Sequence, residues 1–436
     1  VSKQQRRVFL TLGLIGLVYF SIFIIPNSYG AGNMNILLQA SADEYVTYPN
    51  VLQILTIGKT FLDERANLFL YEDYHYGYPF YALSSLVLVP QRIILGRTFI
   101  DHLQLNMLVL RQMISLLPML LAAGIMVYLF TRFQSMAKSV ALFVFLLTIR
   151  GVVRNHIWWW HPDALAVLSV VLTIFFLDRD QLRFGKNFYL AAAFCGLAIA
   201  IKLLGAFFFL TIPVYLLIGL GKKQITLPRA ILSAVLFVLV MAAVSVFSNP
   251  FLFSTDQRER MLQIQAEKQE ELSKGYSHDD PIYYSKGPQW WVTTLEKWYA
   301  PAWFLGLLVL SIVAGCIWGN RRLLNIILLT WIVPYSIYLL YFVAVKPDHY
   351  WLPVMLPLFS GAINGVDILW DKIGQSGKAF FARELIWQKV VCVLLVVLFA
   401  GQVVWNVARP ASGNLVIYQS AVEGGMAKQE SLLTNP

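Results

Sequence analysis

Charge is what this chain has least of. Asp, Glu, Lys and Arg together make up 13 % of its 436 residues, while 58 % are hydrophobic. A water-soluble surface needs a far larger charged share, so the body of the protein is not a soluble domain. Cysteine is equally sparse. Cys195, Cys316 and Cys392 each lie in an apolar segment without metal-ligand spacing, which excludes a disulfide framework and leaves them as small buried apolar residues. There is no Gly-rich phosphate loop, no internal repeat and no low-complexity tract.

What the chain does have is a succession of apolar runs of membrane-crossing length. They fall at about 8–26, 103–130, 137–149, 161–177, 188–203, 205–219, 229–247, 301–318, 323–342, 350–369 and 386–405. The first follows Lys3, Arg6 and Arg7 without an obvious cleavage site, and is expected to be a retained helix with its amino end in the cytoplasm. A further run, 78–95, is ambiguous. The net charge of +10 would suit nucleic acid, but the basic residues sit in short loops, where they set topology. Arg132 and Lys138, Arg179 to Lys186, Lys222 to Arg229, Arg321 and Arg322, and Lys372 to Arg383 all fall on one side if 78–95 does not cross. The expected fold class is therefore an all-α polytopic membrane protein with about eleven transmembrane helices, a twelfth being possible. External helices lie along the membrane at 78–95 and at Val51–Leu62.

This arrangement puts two long polar loops, 27–102 and 248–300, on the non-cytoplasmic side. The expected organisation is a transmembrane module over 1–247 that includes the first loop, the second loop, helices over 301–405, and a polar external tail over 406–436. The helical run Asp256–Ser273 in the second loop reads as largely solvated. Thirteen Trp and twenty-one Tyr suit interfacial belts. Same-side polar loops fit an outward-facing membrane enzyme. A transporter would instead carry functional charges deep in its spans or a duplicated topology, neither of which is evident. A plain assembly partner would not need such a concentration of polar and aromatic groups.

Within the loops, Asp43-Glu44 lies in SADEYVTYPN. A carboxylate at a membrane surface is either solvated surface or a general base whose pKa reduced hydration raises. The stretch Arg154-Asn155-His156-Ile157-Trp158-Trp159-Trp160-His161-Pro162-Asp163 sets three tryptophans before a helix start. Asp163 there is a helix-terminal carboxylate or part of a site that includes Arg154, His156 and His161. His156, His161 and Asp163 give a weak metal spacing, with Asp43 as a further hard ligand. Lys202 in GLAIAIK, and Lys346 with His349 in AVKPDHYWLP, lie at external junctions. Such cations either snorkel to the interface or meet an anionic lipid phosphate.

Taken in order, the first span, Asp43-Glu44, YHYGYPFYALSSL, DALAVLSVVLTIFFLDRD, GLAIAIK, Asn249-Pro250 and HYWLPVMLP resemble the GT-C superfamily of polytopic membrane glycosyltransferases. The resemblance covers about residues 1–370 and is nearest to the dolichyl-phosphate-mannose protein mannosyltransferase and lipid A aminoarabinose transferase group. HYGYP at His75–Pro79 departs from the His/Pro/Pro run of those relatives. The resemblance implies a GT-C-type transferase module and an inverting glycosyltransferase of the cell envelope. The enzyme would move a sugar from a polyprenyl-phosphate-linked donor to a lipid, glycan or protein acceptor on the external face of a bacterial inner or plasma membrane. It implies Asp43 as catalytic base with Glu44 beside it. Arg154, His156, Lys202, Lys346 and His349 would gather around the lipid-linked donor, and Asp43, His161 and Asp163 around a divalent metal ion if one is used. A lipid-pyrophosphate-linked oligosaccharide transferase or polymerase is the nearest alternative, and a lipid or glycan transporter a more distant one. Nucleic acid is not an expected partner.

Overall fold

The structure is a computed structural model that describes residues 2–71, 73–274, 286–345, 347–368 and a few residues between 419 and 426. Among the described residues it is all-helical. The first long helix, α1 (Lys3–Ile22), continues through a short α2 (Ile24–Asn27). A segment of shorter helices follows with α3 (Met34–Ala40), α4 (Ala42–Ile54), α5 (Phe61–Phe69) and α6 (Tyr78–Leu95). The chain returns through α7 (Leu103–Leu110), a wider π-type turn at Arg111–Leu116, and α8 (Leu117–Thr131). It then passes back and forth through α9 (Met136–Leu147) with the short α10 (Arg150–Arg154), α11 (Asp163–Asp180), α12 (Lys186–Lys202), α13 (Thr211–Gly221) and α14 (Leu227–Phe247). A further segment holds α15 (Thr255–Lys274) and α16 (Pro288–Trp298). Finally come α17 (Ala302–Ile317), α18 (Arg322–Tyr341) and α19 (Leu352–Ser360).

Hydrogen bonds and ion pairs define two ends of the bundle. At the basic end Gln5 Nε2 donates to the Arg132 carbonyl at 3.0 Å, Arg132 pairs with Asp178, and Lys138 pairs with Asp367 at 2.5 Å. At the opposite end Trp158 Nε1 donates to the Pro26 carbonyl at 2.6 Å, and Asn249 Oδ1 accepts from the Tyr78 amide at 2.9 Å. By length and composition, seven segments among the described residues can cross a membrane, Tyr78–Asp101 among them. That segment nevertheless starts at the end opposite the basic one. It also finishes there, because Gln104 reaches the Ser28 carbonyl at 2.5 Å, while the helix it feeds runs down to Arg132. Both ends of α6 thus lie at the same end of the bundle. The candidate span 386–405 and most of the 406–436 tail lie outside the described residues.

Lipid explains the exposed surface. Leu10, Leu14 and Leu17 of α1 and Ile231, Leu232, Val238 and Leu239 of α14 all stand open. Water would penalise that much apolar surface. At the centre sits α11, whose Val167, Val170, Val171 and Ile174 are fully buried, as expected for a helix apolar all round. Small residues let neighbours close in: a Cβ on Gly196 of α12 would sit 2.3 Å from the Met241 carbonyl oxygen of α14.

The Val51–Leu62 expectation is corrected. Ser41 caps α4 by accepting from the Glu44 amide, so that helix begins nine residues earlier, runs through Pro49 and stops at Ile54. A reciprocal Thr60/Asp63 capping box then starts α5.

Candidate active site

The site is built where the segment of shorter helices meets the loop before α11 and the upper end of α12. Asp43 and Glu44 are adjacent in the first turn of α4, and a helix turns neighbouring side chains about 100° apart. Glu44 points inward and is fully buried. Arg111 grips both its oxygens, at 2.9 and 2.6 Å, and also donates to the Asn27 and Tyr29 carbonyls. Glu44 Oε1 accepts a further bond from the Trp160 amide at 2.7 Å. One carboxylate thereby ties α4 to the π-type turn, to the end of the first span and to the loop before α11. Asp43 points outward and is exposed. Burial by the surrounding wall still raises its pKa, with the Lys202 ammonium acting against that rise, and the charges of Asp163, Lys268 and Asp73 also reach it.

Asp163 opens α11, but its carboxylate does not cap the helix. One oxygen pairs with Lys202 Nζ and the other lies 2.5 Å from His161 Nδ1. The second imidazole nitrogen, Nε2, meets the Tyr76 hydroxyl at 2.6 Å. The result is a continuous chain Lys202–Asp163–His161–Tyr76. Burial pulls His161 down to about 4, so its ring is neutral at ordinary pH. The Trp159 and His349 rings pack within 4.7 and 5.3 Å of the His161 ring. The indole Nε1 of Trp159 is buried with no hydrogen-bond partner.

Lys202 is placed by backbone fit. The Gly77 amide donates to the Ile201 carbonyl at 3.2 Å, and a Cβ on Gly77 would fall 1.5 Å from the Ala200 oxygen. Only glycine permits that approach. Beside it opens a cavity of about 570 Å³ lined by Tyr76, Lys202, Phe207, Lys268, Tyr338 and Tyr350, with Met261 and Leu272 of α15 on its outer wall. Lys268 Nζ donates to the His75 carbonyl at 3.0 Å and sits 4.7 Å over the Tyr76 ring. Burial, then the Lys202 charge, brings Lys268 down to about 8. Asp73 is held below the usual carboxylate range: burial raises it, but hydrogen bonds from His75 and Tyr81 more than offset that.

The structure thus brings Asp43, His161, Asp163, Lys202 and His349 to one place. Glu44 takes part through its bonds to Arg111 and to the Trp160 amide. His156 turns away into a pocket formed by Tyr19 and Phe23, with Nδ1 3.1 Å from the Tyr19 hydroxyl. Arg154 is exposed at the end of α10, and Lys346 lies outside the described residues. The three tryptophans do not form a belt. Trp158 anchors on Pro26, Trp160 donates to Ser84 Oγ at 3.0 Å, and Trp159 stacks on His161. For the metal expectation at Asp43, His161 and Asp163, one Asp163 oxygen is taken by Lys202 and His161 Nε2 by Tyr76. No three His, Cys, Asp or Glu side chains converge as metal ligands among the described residues.

Tyr76, Lys268 and Arg111 were not singled out in the sequence. Arg111 carried a usable signal, since a charge inside a predicted span demands a buried partner. The absence of charges deep in spans fails at this residue. Lys268 is one of several lysines in a polar helix, and nothing local marks it. That helix is solvated on its outer side, as expected, while its other side forms the cavity wall.

No family model and no curated protein matches the sequence. Among solved structures, the fold is similar to ArnT from Cupriavidus metallidurans bound to undecaprenyl phosphate. The TM-score is 0.57 at 14 % identity, over 97 % of this chain and 78 % of that one. It is also similar to the archaeal oligosaccharyltransferase AglB from Archaeoglobus fulgidus, in complex with an inhibitory peptide and a dolichol-phosphate. Here the TM-score is 0.50 at 14 % identity, over 94 % of this chain and 56 % of that one. This chain therefore spans little more than half the length of the archaeal protein. At such identity the likeness is one of fold alone.

Proposed function

We propose that the protein is an inverting glycosyltransferase that takes a sugar from a polyprenyl-phosphate donor and passes it to a hydroxyl or amine acceptor at the non-cytoplasmic face. One observation carries this reading: an outward-facing carboxylate, Asp43, shares an electrostatic neighbourhood with two lysines, Lys202 and Lys268, that line a largely apolar cavity. An apolar cavity with cations at its wall suits a lipid bearing one phosphate. The bound lipids named for the two similar structures, undecaprenyl phosphate and dolichol-phosphate, belong to that chemical class.

In the reaction the acceptor oxygen attacks the anomeric carbon as Asp43 removes its proton. The bond between that carbon and the phosphate oxygen breaks on the opposite side, and the lipid phosphate leaves with one more negative charge. Lys202 and Lys268 meet that charge as it develops, which is where fixed electrostatics lowers a barrier most. The charge balance favours a monophosphate over a pyrophosphate donor. Asp43, Asp73 and Asp163 already oppose the two lysines, leaving little surplus for a second phosphoryl group.

The test is transfer from synthetic polyprenyl-phosphate sugars by purified protein. Wild type is expected to turn over at least one such donor. Asp43→Asn is expected to lose about 10²–10⁴-fold in kcat, the usual share of general base catalysis, while still binding the donor. Turnover in Asp43→Asn equal to wild type removes Asp43 as base. Turnover confined to pyrophosphate donors overturns the donor assignment.

A further inference from the structure

The run of polar contacts that ends on Tyr76 has a direction, and that direction says what Tyr76 offers the cavity. Asp163 is held by the Lys202 ammonium, so it faces His161 as a carboxylate. The Asp163 carboxylate oxygen lies 2.5 Å from Nδ1 without in-line hydrogen-bond geometry, and its negative charge favours the imidazole hydrogen on that nitrogen. Nε2 is then a lone-pair acceptor, and the Tyr76 hydroxyl must donate to it. With its one hydrogen spent on His161, the phenol oxygen presents only lone pairs elsewhere. Burial, together with the nearby Asp43 and Asp163 carboxylates, keeps the phenol well above its ordinary pKa and so protonated.

Tyr76 is one of the residues lining the cavity that also holds Lys202 and Lys268. Lys268 stands over its ring, so a phosphate drawn to the lysines brings its own substituent beside the phenol. A phenol oxygen that can only accept matches a hydroxyl group, which has a hydrogen to give. An oxygen locked as an acceptor, in contrast, disfavours a group that has no hydrogen to give.

We infer that Tyr76, oriented by His161 and Asp163, selects the donor by accepting a hydrogen bond from a hydroxyl of the sugar next to the phosphate. Tyr76 is thus a specificity residue that touches the donor, and His161 is a positioning residue that acts through it. This rests on the reading of the cavity as a prenyl-phosphate site.

The experiment measures binding of farnesyl phosphate, and of farnesyl phosphate bearing glucose, mannose or galactose, to the purified full chain and to Tyr76→Phe and His161→Gln. In wild type at least one sugar is expected to tighten binding about five- to twenty-fold over bare farnesyl phosphate, the scale of a single buried hydrogen bond. Tyr76→Phe is expected to lose that increment while binding bare farnesyl phosphate within about twofold of wild type, which also reports that it is folded. His161→Gln, which no longer fixes the phenol hydrogen, is expected to lose most of the increment. An increment that survives Tyr76→Phe, an equal weakening of bare and glycosylated ligands, or sugars that add nothing in wild type would each overturn the inference alone. Failure of wild type to bind farnesyl phosphate at all would overturn the cavity reading and the inference with it.

Discussion

Asp43 and Glu44 differ by one methylene and one position, and the helix they share gives them separate tasks. Glu44 is buried with Arg111, and removing one partner leaves an uncompensated charge in a low-dielectric interior. Glu44→Ala is expected to cost about 3–5 kcal/mol, seen as a clear fall in the unfolding midpoint in detergent. A variant as stable as wild type would contradict that role. Asp43 is expected to show itself in the pH profile. A base must be ionised, so kcat/KM falls as pH drops through its pKa, and burial sets that limb above the ordinary carboxylate value of about 4. Lys202→Met removes the charge that opposes the rise and moves the limb to higher pH. On the alkaline side Lys268 loses its proton near pH 8, weakening phosphate binding. Lys268→Arg should remove that alkaline limb, and an unchanged profile would exclude Lys268 from the phosphate site. In the sequence, Asp43, His161, Asp163, Lys202 and His349 stood out as polar residues at the ends of apolar runs. Tyr76 did not, because its meaning comes from a histidine 85 residues away.

At the scale of elements, the spans were legible because lipid imposes length and apolarity on each helix separately. Their termini were readable to within a few residues. For α6 the sequence argument is a different one: basic loops alternate correctly only if it stays on one side. That reading is testable by labelling. In a chain with Cys195, Cys316 and Cys392 replaced, cysteines at Thr98 and Lys59 are expected to react with an impermeant thiol reagent from the non-cytoplasmic face. A cysteine at Lys222 should react only after the membrane is opened. Opposite sidedness for Thr98 and Lys59 would mean that α6 crosses. Contacts between elements were not legible. The cavity wall formed by α15 depends on Gln265 donating to the Tyr74 carbonyl at 2.6 Å and on the Leu272 carbonyl accepting from Ala344. Both contacts join segments more than 70 residues apart, and no local pattern encodes them.

At the scale of the whole molecule, acid, lysines, histidines and aromatic rings collect at one end of the bundle, and the basic loops collect at the other. A second cavity, about 680 Å³ between α1, α8 and α11, is almost wholly apolar, with Arg179 as its charged residue. It lacks the acid and the paired lysines that the proposed chemistry needs. The two cavities therefore separate the possible outcomes of one direct measurement, which is to saturate purified protein with undecaprenyl phosphate and locate the phosphate by cryo-electron microscopy. The phosphate is expected beside Lys202 and Lys268, within about 3–4 Å of an ammonium nitrogen, with the lipid chain leaving along the cavity walled by α15. A phosphate held only at the groove beside Arg179, with the Lys202–Lys268 cavity empty, would contradict the proposed donor site.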